Sequence, residues 1–253
     1  MYHQFMRLAD IDITKEPMEV GPTTHYMMGG VRVDADTQMS TLPGLFAAGE
    51  CAAGLHGANR LGGNSLSDLL VFGKRAGAFA AQFATEQAGA QIDDDQVEDT
   101  LRKALESFES HEQSGGDSYA SYGVHHDLQD LMQDLVGIVR SESELVGALE
   151  GIGRLRERAQ RVRVDGNRQY NPGWHTALAL RNLLTVSEAV ARTALERRES
   201  RGAHFRQDYP DKDPTLGKVN IVVKKGADGD MRISRRPIPE IRPDLQHIIT
   251  EMK

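Results

Sequence analysis

The sequence predicts an α/β region, followed by an all-α bundle and an extended tail with a short β segment. Between residues 25 and 87, short apolar pieces separated by turn signals lead into a glycine loop and then a helical pattern. Amphipathic helical patterns fill most of residues 89 to 200, as in a small antiparallel bundle. Beyond Gly202 the stretch KVNIVVKK alternates like a strand and the end is rich in proline.

The α/β region is expected to open with two short strands. Residues 1 to 24 form a connector, because two prolines and a glycine interrupt EPMEVGPTT. In GGVRVDADTQMS, Val31 and Val33 alternate with polar neighbours, and a turn is expected over residues 34 to 37. LPGLFAAGE predicts a short buried strand that ends at a glycine.

A helix follows the glycine loop. Apolar residues recur at helical spacing in SLSDLLVFGKRAGAFAAQFATEQ, and the helix is expected to begin near Leu66. Asn64 or Ser65 is the predicted N-cap, since both side chains can accept a bond from a free helical N–H. The order of elements is therefore strand, glycine loop and helix.

The bundle and the tail carry their own start and stop signals. The acidic run DDD suits the N-terminus of the first bundle helix. Ser141 is a plausible cap for a later helix, and WHTALALRNLLTVSEAVARTALERRES gives a further strong amphipathic pattern. In the tail, a turn is expected at Asp228 and Gly229, with RRPIPEIRPD as an extended end.

Composition narrows the possible functions. A net charge of −7 argues against a general nucleic-acid binder. The single cysteine, Cys51, allows no internal disulfide and argues against a zinc or iron–sulfur site built from this chain alone. His125 and His126 are adjacent, so on a helix they point to different sides, and no metal site is predicted. No apolar run is long enough to span a membrane, and the N-terminus lacks a secretory signal.

The stretch HGANRLGGNSL is the first candidate site. A glycine turn between a strand and a helix can aim backbone N–H groups at an anion or at an electron-rich ring edge. Arg60 is the one charged residue there, and its guanidinium fits a carboxylate in a bidentate way. The alternatives are that the glycines only form a tight turn and that Arg60 only forms a structural salt bridge.

Two further residues are candidates. His25, in HYMMGG, could donate to a substrate oxygen or take part in proton transfer, although a packed structural histidine is the alternative. Glu50 closes LFAAGE after Gly49, and a carboxylate at the end of a strand suits a pair of ribose hydroxyls. The alternative for Glu50 is a partner for Arg60 or a helix cap.

Taken together and in order, HYMMGG, PGLFAAGE, HGANRLGGNSL with DLLVFGKRAG, and RRESRGAH with DYP resemble the flavoprotein subunit of succinate dehydrogenase and fumarate reductase. The resemblance is close over residues 15 to 81 and resumes over residues 196 to 214. It implies membership of respiratory complex II and the tricarboxylic acid cycle, with FAD as cofactor. The chemistry implied is hydride transfer between succinate or fumarate and FAD, with electrons passed to an iron–sulfur subunit.

The resemblance implies roles residue by residue. His25 and Arg60 are similar to the family's dicarboxylate-binding histidine and arginine. Glu50, after Gly49, is similar to the acid that binds the ribose of the flavin nucleotide. The remaining cofactor contacts are expected at the helix N-terminus, from Asn64, Ser65 and Leu66. The chain departs from many members at Ser67, where a leucine is usual, which is expected to change packing and not chemistry.

The resemblance covers only the C-terminal part of the family. The Gly-x-Gly-x-x-Gly fingerprint and the histidine that carries covalent flavin are absent from this sequence, and the proton-transfer arginine is expected in the missing N-terminal part. The expected domains are 1–20, the end of the capping domain and connector; 21–88, the closing part of a FAD-binding Rossmann-like domain; 89–200, the helical bundle; and 201–253, the tail.

Two alternatives stay open at this point. One is a flavoenzyme of the L-aspartate oxidase type, a relative with similar motifs and no iron–sulfur partner. The other is an inactive fragment that cannot hold FAD alone. The respiratory reading is favoured by the HYMMGG form and by the long tail. It implies a cytoplasmic protein that lies peripherally on the inner face of the cell membrane, held indirectly by membrane anchor subunits.

Overall fold

A computed structural model describes residues 2–19, 21, 24–87, 89, 91–108 and 119–251. Within the predicted connector, residues 2–9 form a helix that was not predicted, since no capping residue marks its start, and residues 1, 20, 22 and 23 lie outside the described residues. The helices are α1 Tyr2–Ala9, α2 Asn64–Glu86, α3 Asp94–Leu105, α4 Ser121–Val136, α5 Glu142–Ala159, α6 Pro172–Glu196 and α7 Pro243–Glu251. The strands are β1 Val31–Arg32, β2 Ala52–Ala53, β3 Tyr119–Ala120, β4 Val139–Arg140, β5 Val162–Arg163, β6 Phe205–Arg206, β7 Val219–Lys225 and β8 Met231–Pro237. The architecture is mixed α/β with a helical C-terminal part, as the sequence predicts.

The α/β region contains the first predicted strand and its turn. Strand β1 pairs in parallel with β2. The turn after it is closed by Asp34, whose Oδ1 accepts from the backbone N–H groups of Asp36 and Thr37 at 3.1 and 2.9 Å. The second predicted strand, in LFAAGE, is reduced to an isolated bridge between Met39 and Phe46. Positive φ angles at residues 44 and 49, +84° and +77°, bend the chain on both sides and keep that strand short.

Helix α2 begins earlier than predicted, and its cap differs. The N-cap is Gly63, which adopts a left-handed conformation with φ of +84° and offers no side-chain acceptor. The prediction of Asn64 or Ser65 as N-cap was therefore wrong, because the left-handed turn places Asn64 already inside the helix. The first helical N–H groups consequently have no capping side chain from Gly63.

The core of the chain lies in the helical bundle formed by α4, α5 and α6. Its buried apolar residues are Val124, Leu128, Val136, Leu145, Ala148, Ile152, Leu155, Val162, Val164, Leu180, Leu184, Ala191 and Ala194. Helix α3 joins this bundle through Trp174, whose indole N–H donates to the carbonyl of Ala104 at 2.8 Å. The predicted bundle is confirmed, and its core is separate from the glycine loop.

Helix α5 carries the predicted cap. The Ser141 hydroxyl accepts from the N–H of Glu144, and the Glu144 carboxylate accepts from the N–H of Ser141 at 2.8 Å, which forms a capping box. We expect Ser141→Ala to lower the free energy of unfolding by about 1 kcal/mol, because it removes the hydroxyl that accepts from the N–H of Glu144. Urea unfolding should show this loss, and Ser141→Thr should recover most of it. An unchanged midpoint in Ser141→Ala would contradict the role of the cap.

The tail is more regular than its composition predicts. The predicted strand forms β7, and it pairs antiparallel with β8 from Val219 opposite Pro237 to Lys225 opposite Met231. The chain turns at Asp228 and Gly229, as expected. Strand β8 and helix α7 were not predicted, because arginines interrupt the apolar alternation of β8 and prolines flank the sequence between them. Among the described helices, none has both the length and the apolar character needed to cross a bilayer.

Candidate functional site

Two stretches of the chain contact the glycine loop that carries Arg60: the segment that starts at His25, and the turn after Glu199, which contacts Ala58. The guanidinium carbon of Arg60 lies 4.6 Å from the centre of the Tyr26 ring, over its face. His25 precedes Tyr26 directly and is exposed. The structure thus places Arg60 against the residue that follows His25 in the chain.

Arg60 has free hydrogen-bonding capacity. Its Nη1 donates to the carbonyl of Leu61 at 3.3 Å, while its Nε is buried and has no hydrogen-bond partner among the described residues. Among the ion pairs that the described residues form, none involves Arg60. The stack on Tyr26 therefore orients the guanidinium without neutralising its charge, and cation–π contacts of this kind contribute about 0.5–2 kcal/mol.

The side chains of His56 and Asp68 form a buried pair, and His56 contacts the Tyr26 ring. His56 Nε2 lies 3.1 Å from Asp68 Oδ2, and the side chains are only 10% and 5% exposed. The His56 ring meets the edge of Tyr26 at a centroid distance of 5.5 Å. Burial raises the pKa of the Tyr26 phenol, and the nearby charges of Asp68 and Glu50 raise it further. The phenol therefore stays protonated at neutral pH.

His56 and Asp68 were not predicted from the sequence as supporting residues. Asp68 is the only buried residue of helix α2, although it lies between Leu66 and Leu69 in a largely apolar stretch. A carboxylate that is buried on an otherwise exposed helix needs a partner, and His56 supplies it from the start of HGANRLGGNSL. The available signal was an aspartate within an apolar run, preceded by a histidine in the adjoining loop.

Glu50 and Gly49 connect the loop region to the HYMMGG segment. The carboxylate of Glu50 accepts from the backbone N–H of Met27 at 2.9 Å. A Cβ on Gly30 would lie 2.2 Å from the carbonyl oxygen of Cys51, and a Cβ on Gly49 would lie 2.5 Å from the side chain of Leu69. Both glycines therefore allow close packing of backbone that a larger residue would prevent.

The N-terminus of α2 is open. A Cβ added at Gly62 or Gly63 would meet nothing within 4 Å. The N–H groups of the first helical turn have no intrahelical acceptor, and the helix dipole makes this end electropositive. Asn64 and Leu66 are exposed, and Ser65 is half-buried. The arrangement presents N–H groups and a partial positive charge beside a guanidinium, which suits anionic groups.

A shallow groove runs beside the same helix. It is lined by Leu55, His56, Asn64, Ser67, Asp68, Val71 and Phe72. Ser67, the residue at which the sequence departs from the family pattern, therefore faces a groove and not a filled core. Among the residues that the structure describes, no group of three His, Cys, Asp or Glu side chains is placed to hold a metal ion.

Comparisons with known proteins agree on one family. The family described as "Fumarate reductase flavoprotein C-term" matches residues 125–243, and the family described as "FAD binding domain" matches residues 1–66. The fumarate reductase flavoprotein subunit of Haemophilus influenzae is 37% identical over 232 residues, which cover 90% of this chain and 38% of that protein. The succinate dehydrogenase flavoprotein subunit of Coxiella burnetii is 37% identical over 244 residues, which cover 92% of this chain and 40% of that protein.

A solved structure extends this agreement to three dimensions. Sdh1 of Mycobacterium smegmatis, in complex with UQ1, superimposes with a TM-score of 0.89 at 47% identity and covers 98% of this chain and 41% of that one. The chain thus spans about two fifths of the length of the relatives that it matches. The chain belongs to the FAD-dependent flavoprotein subunits of succinate dehydrogenase and fumarate reductase, a family of oxidoreductases.

Proposed function

We propose that this chain supplies the substrate-arginine loop and part of the flavin contacts of an enzyme that interconverts succinate and fumarate. The observation that carries the proposal is Arg60 itself. Its guanidinium is oriented by Tyr26, has a buried Nε without a partner among the described residues, and lies next to an open helix N-terminus. A cation held in this way is ready to bind a carboxylate.

The residues at the site fit FAD. Glu50 is exposed and is anchored by one bond to Met27, which suits binding of the ribose hydroxyls. Asn64, Ser65 and Leu66 lie in the first turn of α2, where Gly63 provides no side-chain cap. The N–H of Asn64 donates to the carbonyl of Leu61 at 3.3 Å, so Ser65 and Leu66 offer the N–H groups that suit contact with the flavin ring. Gly49 lets the strand end pack against Leu69 and so places Glu50. When bound, FAD supplies the hydride acceptor or donor.

The chain's own residues bind and orient the substrate. Arg60 binds one carboxylate of the dicarboxylate as a bidentate partner, and His25 donates a hydrogen bond to a substrate oxygen. Fixing the substrate in this way reduces the entropy that the reaction has to lose. The electropositive end of α2 favours negative charge that develops beside it. A proton-transfer arginine outside this sequence completes the site.

We further infer partners and location from the family. Electrons pass to an iron–sulfur subunit, and membrane anchor subunits associate indirectly, so the protein lies on the cytoplasmic side of the cell membrane as a peripheral component. Support comes from the relatives: the solved structures include Sdh1 in complex with UQ1 and a quinol–fumarate reductase with menaquinol molecules.

An anaerobic redox experiment tests the proposed reaction. The protein is loaded with FAD, and succinate is added to the oxidised form or fumarate to the dithionite-reduced form. We expect succinate to bleach the flavin band in the complete flavoprotein, and fumarate to restore it. Aspartate added in place of succinate serves as the control. Bleaching by aspartate, with no response to succinate, would contradict the proposal and indicate an amino-acid oxidase.

Substitution at Tyr26 tests the orientation of Arg60. We expect Tyr26→Leu to weaken binding of malonate about tenfold, since it removes the ring face that holds the guanidinium. Tyr26→Phe keeps that face and should retain affinity within about twofold of the wild type. Titration calorimetry in the presence of FAD measures both. Equal losses in the two variants would show that the phenol oxygen, and not the ring, is important.

A further inference from the structure

We propose that the turn Arg201–His204 is a clasp that positions the Arg60 loop, with Gly202 and Ala203 as its positioning residues. The inference extends the proposed function, because it takes Arg60 as the dicarboxylate-binding residue. The clasp comes from the segment that follows the helical bundle, about 140 residues further along the chain than the loop that it holds. It thereby makes the position of Arg60 depend on the C-terminal part of the fold.

The clasp is a backbone contact with almost no spare room. The N–H of Ala203 donates to the carbonyl of Ala58 at 3.0 Å. Gly202 has φ of +60°, and a Cβ there would lie 2.2 Å from the Ala58 carbonyl oxygen and 2.7 Å from the Ala58 Cβ. Any side chain at position 202 would therefore push Ala58 away and break the neighbouring hydrogen bond.

Ala58 is well placed to transmit such a displacement. It lies two residues after His56, which is fixed to Asp68, and two residues before Arg60, which is stacked on Tyr26. The adjoining backbone contains Gly57, with φ of +56°, and two glycines after Leu61. Glycine can adopt more backbone conformations than other residues, so these positions do not fix the loop by themselves. The bond from Ala203 thus fixes the middle of a loop that is also restrained by these side-chain contacts and, at its far end, by the bond from the Asn64 N–H to the Leu61 carbonyl at 3.3 Å.

The turn itself is held rigidly. Arg201 and His204 bond to each other through their backbones, at 2.8 and 3.1 Å. The Arg201 side chain forms an ion pair with the fully buried carboxylate of Glu199 at 2.9 Å. His204 receives a bond from Arg140 on Nδ1 at 2.9 Å, so its other nitrogen, Nε2, carries the proton and donates to the carbonyl of Arg197 at 3.0 Å.

These anchors lie on the bundle side of the turn. Burial, together with the surrounding arginines, lowers the pKa of His204 and keeps the ring neutral in this arrangement. The clasp is therefore pinned by polar contacts that are largely removed from water, and movement of the turn would break several of them. Because the turn is held by these contacts and the loop contains several glycines, the contact between them determines the position of the loop.

The glycine at 229 provides a matched control. Gly202 and Gly229 both have positive φ, +60° and +89°, so alanine is strained at either position, but a Cβ on Gly229 would meet nothing within 4 Å. Amide hydrogen exchange of residues 55–61 is measured in Gly202→Ala, Gly229→Ala and the wild type. We expect exchange in this loop to rise roughly tenfold or more in Gly202→Ala and to stay at the wild-type rate in Gly229→Ala.

Malonate binding in the presence of FAD provides the second measurement. We expect Gly202→Ala to raise the malonate Kd roughly tenfold or more, with Gly229→Ala unchanged, because a small displacement of the guanidinium disrupts the fit to the carboxylate. Loop exchange that is equal in the two variants would overturn the clasp. Because the exchange comparison needs no ligand, a wild-type chain that binds no malonate counts only against the proposed function.

A measurement on the unaltered chain covers the case in which Gly202→Ala does not fold. The clasp predicts that the Ala203 amide is protected, with exchange at least about a hundredfold slower than in an unstructured peptide. Exchange of Ala203 at the free-peptide rate would overturn the proposal without any variant.

Discussion

Replacing Arg60 with lysine is expected to weaken malonate binding about a hundredfold. Lysine keeps the positive charge but loses the planar fork that binds a carboxylate through two parallel hydrogen bonds, and it stacks less well on Tyr26. Losing one of the two hydrogen bonds to a charged carboxylate costs about 1.5–3 kcal/mol, and a hundredfold change in affinity lies within this range. Calorimetric titration of the FAD-loaded protein with malonate measures the change.

Arg75 provides the matched control for this substitution. Arg75 lies on helix α2, and its guanidinium carbon is 5.7 Å from the centre of the Phe72 ring. Its Nη1 lies 3.7 Å from the carboxylate of Asp36. Arg75→Lys therefore alters an arginine with a similar aromatic neighbour but an exposed setting, and it should leave the malonate affinity unchanged. Equal affinities for Arg60→Lys and the wild type would remove Arg60 from the substrate site.

Arg206→Met is expected to produce the largest loss of stability, about 3–5 kcal/mol. The Arg206 side chain is fully buried and forms two bonds of 2.7 Å with the carboxylate of Asp208. Its Nη1 also donates to the carbonyl of Ala194, in the last turn of α6, at 2.9 Å. Methionine fills similar volume but leaves a carboxylate and a helix-end carbonyl without their donor.

An exposed arginine gives the comparison. Arg235 pairs with Glu196 at 2.7 Å, but the two side chains are 52% and 34% exposed. Arg235→Met should therefore change the free energy of unfolding by less than about 1 kcal/mol. Urea unfolding of both variants at pH 7 checks the difference. A loss in Arg206→Met no larger than in Arg235→Met would contradict the structural role of the buried pair.

The loss of unfolding free energy in Arg206→Met should depend on pH, because Arg206 bonds to the titratable carboxylate of Asp208. The bonds from Arg206 lower the pKa of Asp208 from 3.8 to about 2. Because the folded pKa lies below the unfolded value, the stabilisation is complete well above pH 3.8 and is lost as the pH falls towards 2. The difference between wild type and Arg206→Met should thus be constant from pH 7 to 5 and shrink below pH 3.8. A difference that instead shrinks on going from pH 5 to 7 would exclude this pair as its source.

The sequence was sufficient where a single local pattern decides the structure. The Ser141 cap, the bundle and strand β7 follow from periodicity and capping chemistry within one stretch, so they could be predicted. The cap of α2 could not, because a left-handed Gly63 determines where that helix begins. Strand β8 depends on pairing with β7 more than on its own weak alternation.

The candidate site likewise combines residues that could be predicted from the sequence with contacts that could not. The motifs around His25, Glu50 and Arg60 could be recognised because they are short local patterns that follow one another in order along the sequence. Their supports were not, since the contact of Ala203 with Ala58 joins residues far apart in the chain and uses only backbone atoms. No side-chain pattern encodes such a contact, apart from the glycine at 202 that makes room for it.

The role of Arg60 can be tested by the absorbance spectrum of the purified chain after addition of FAD and then of malonate. We expect a bound flavin band that shifts as malonate occupies the Arg60 site, and we expect Arg60→Ala to lose the shift while flavin binding persists. A malonate shift that survives in Arg60→Ala would exclude Arg60 from the site, because the dicarboxylate would then bind somewhere other than beside this arginine.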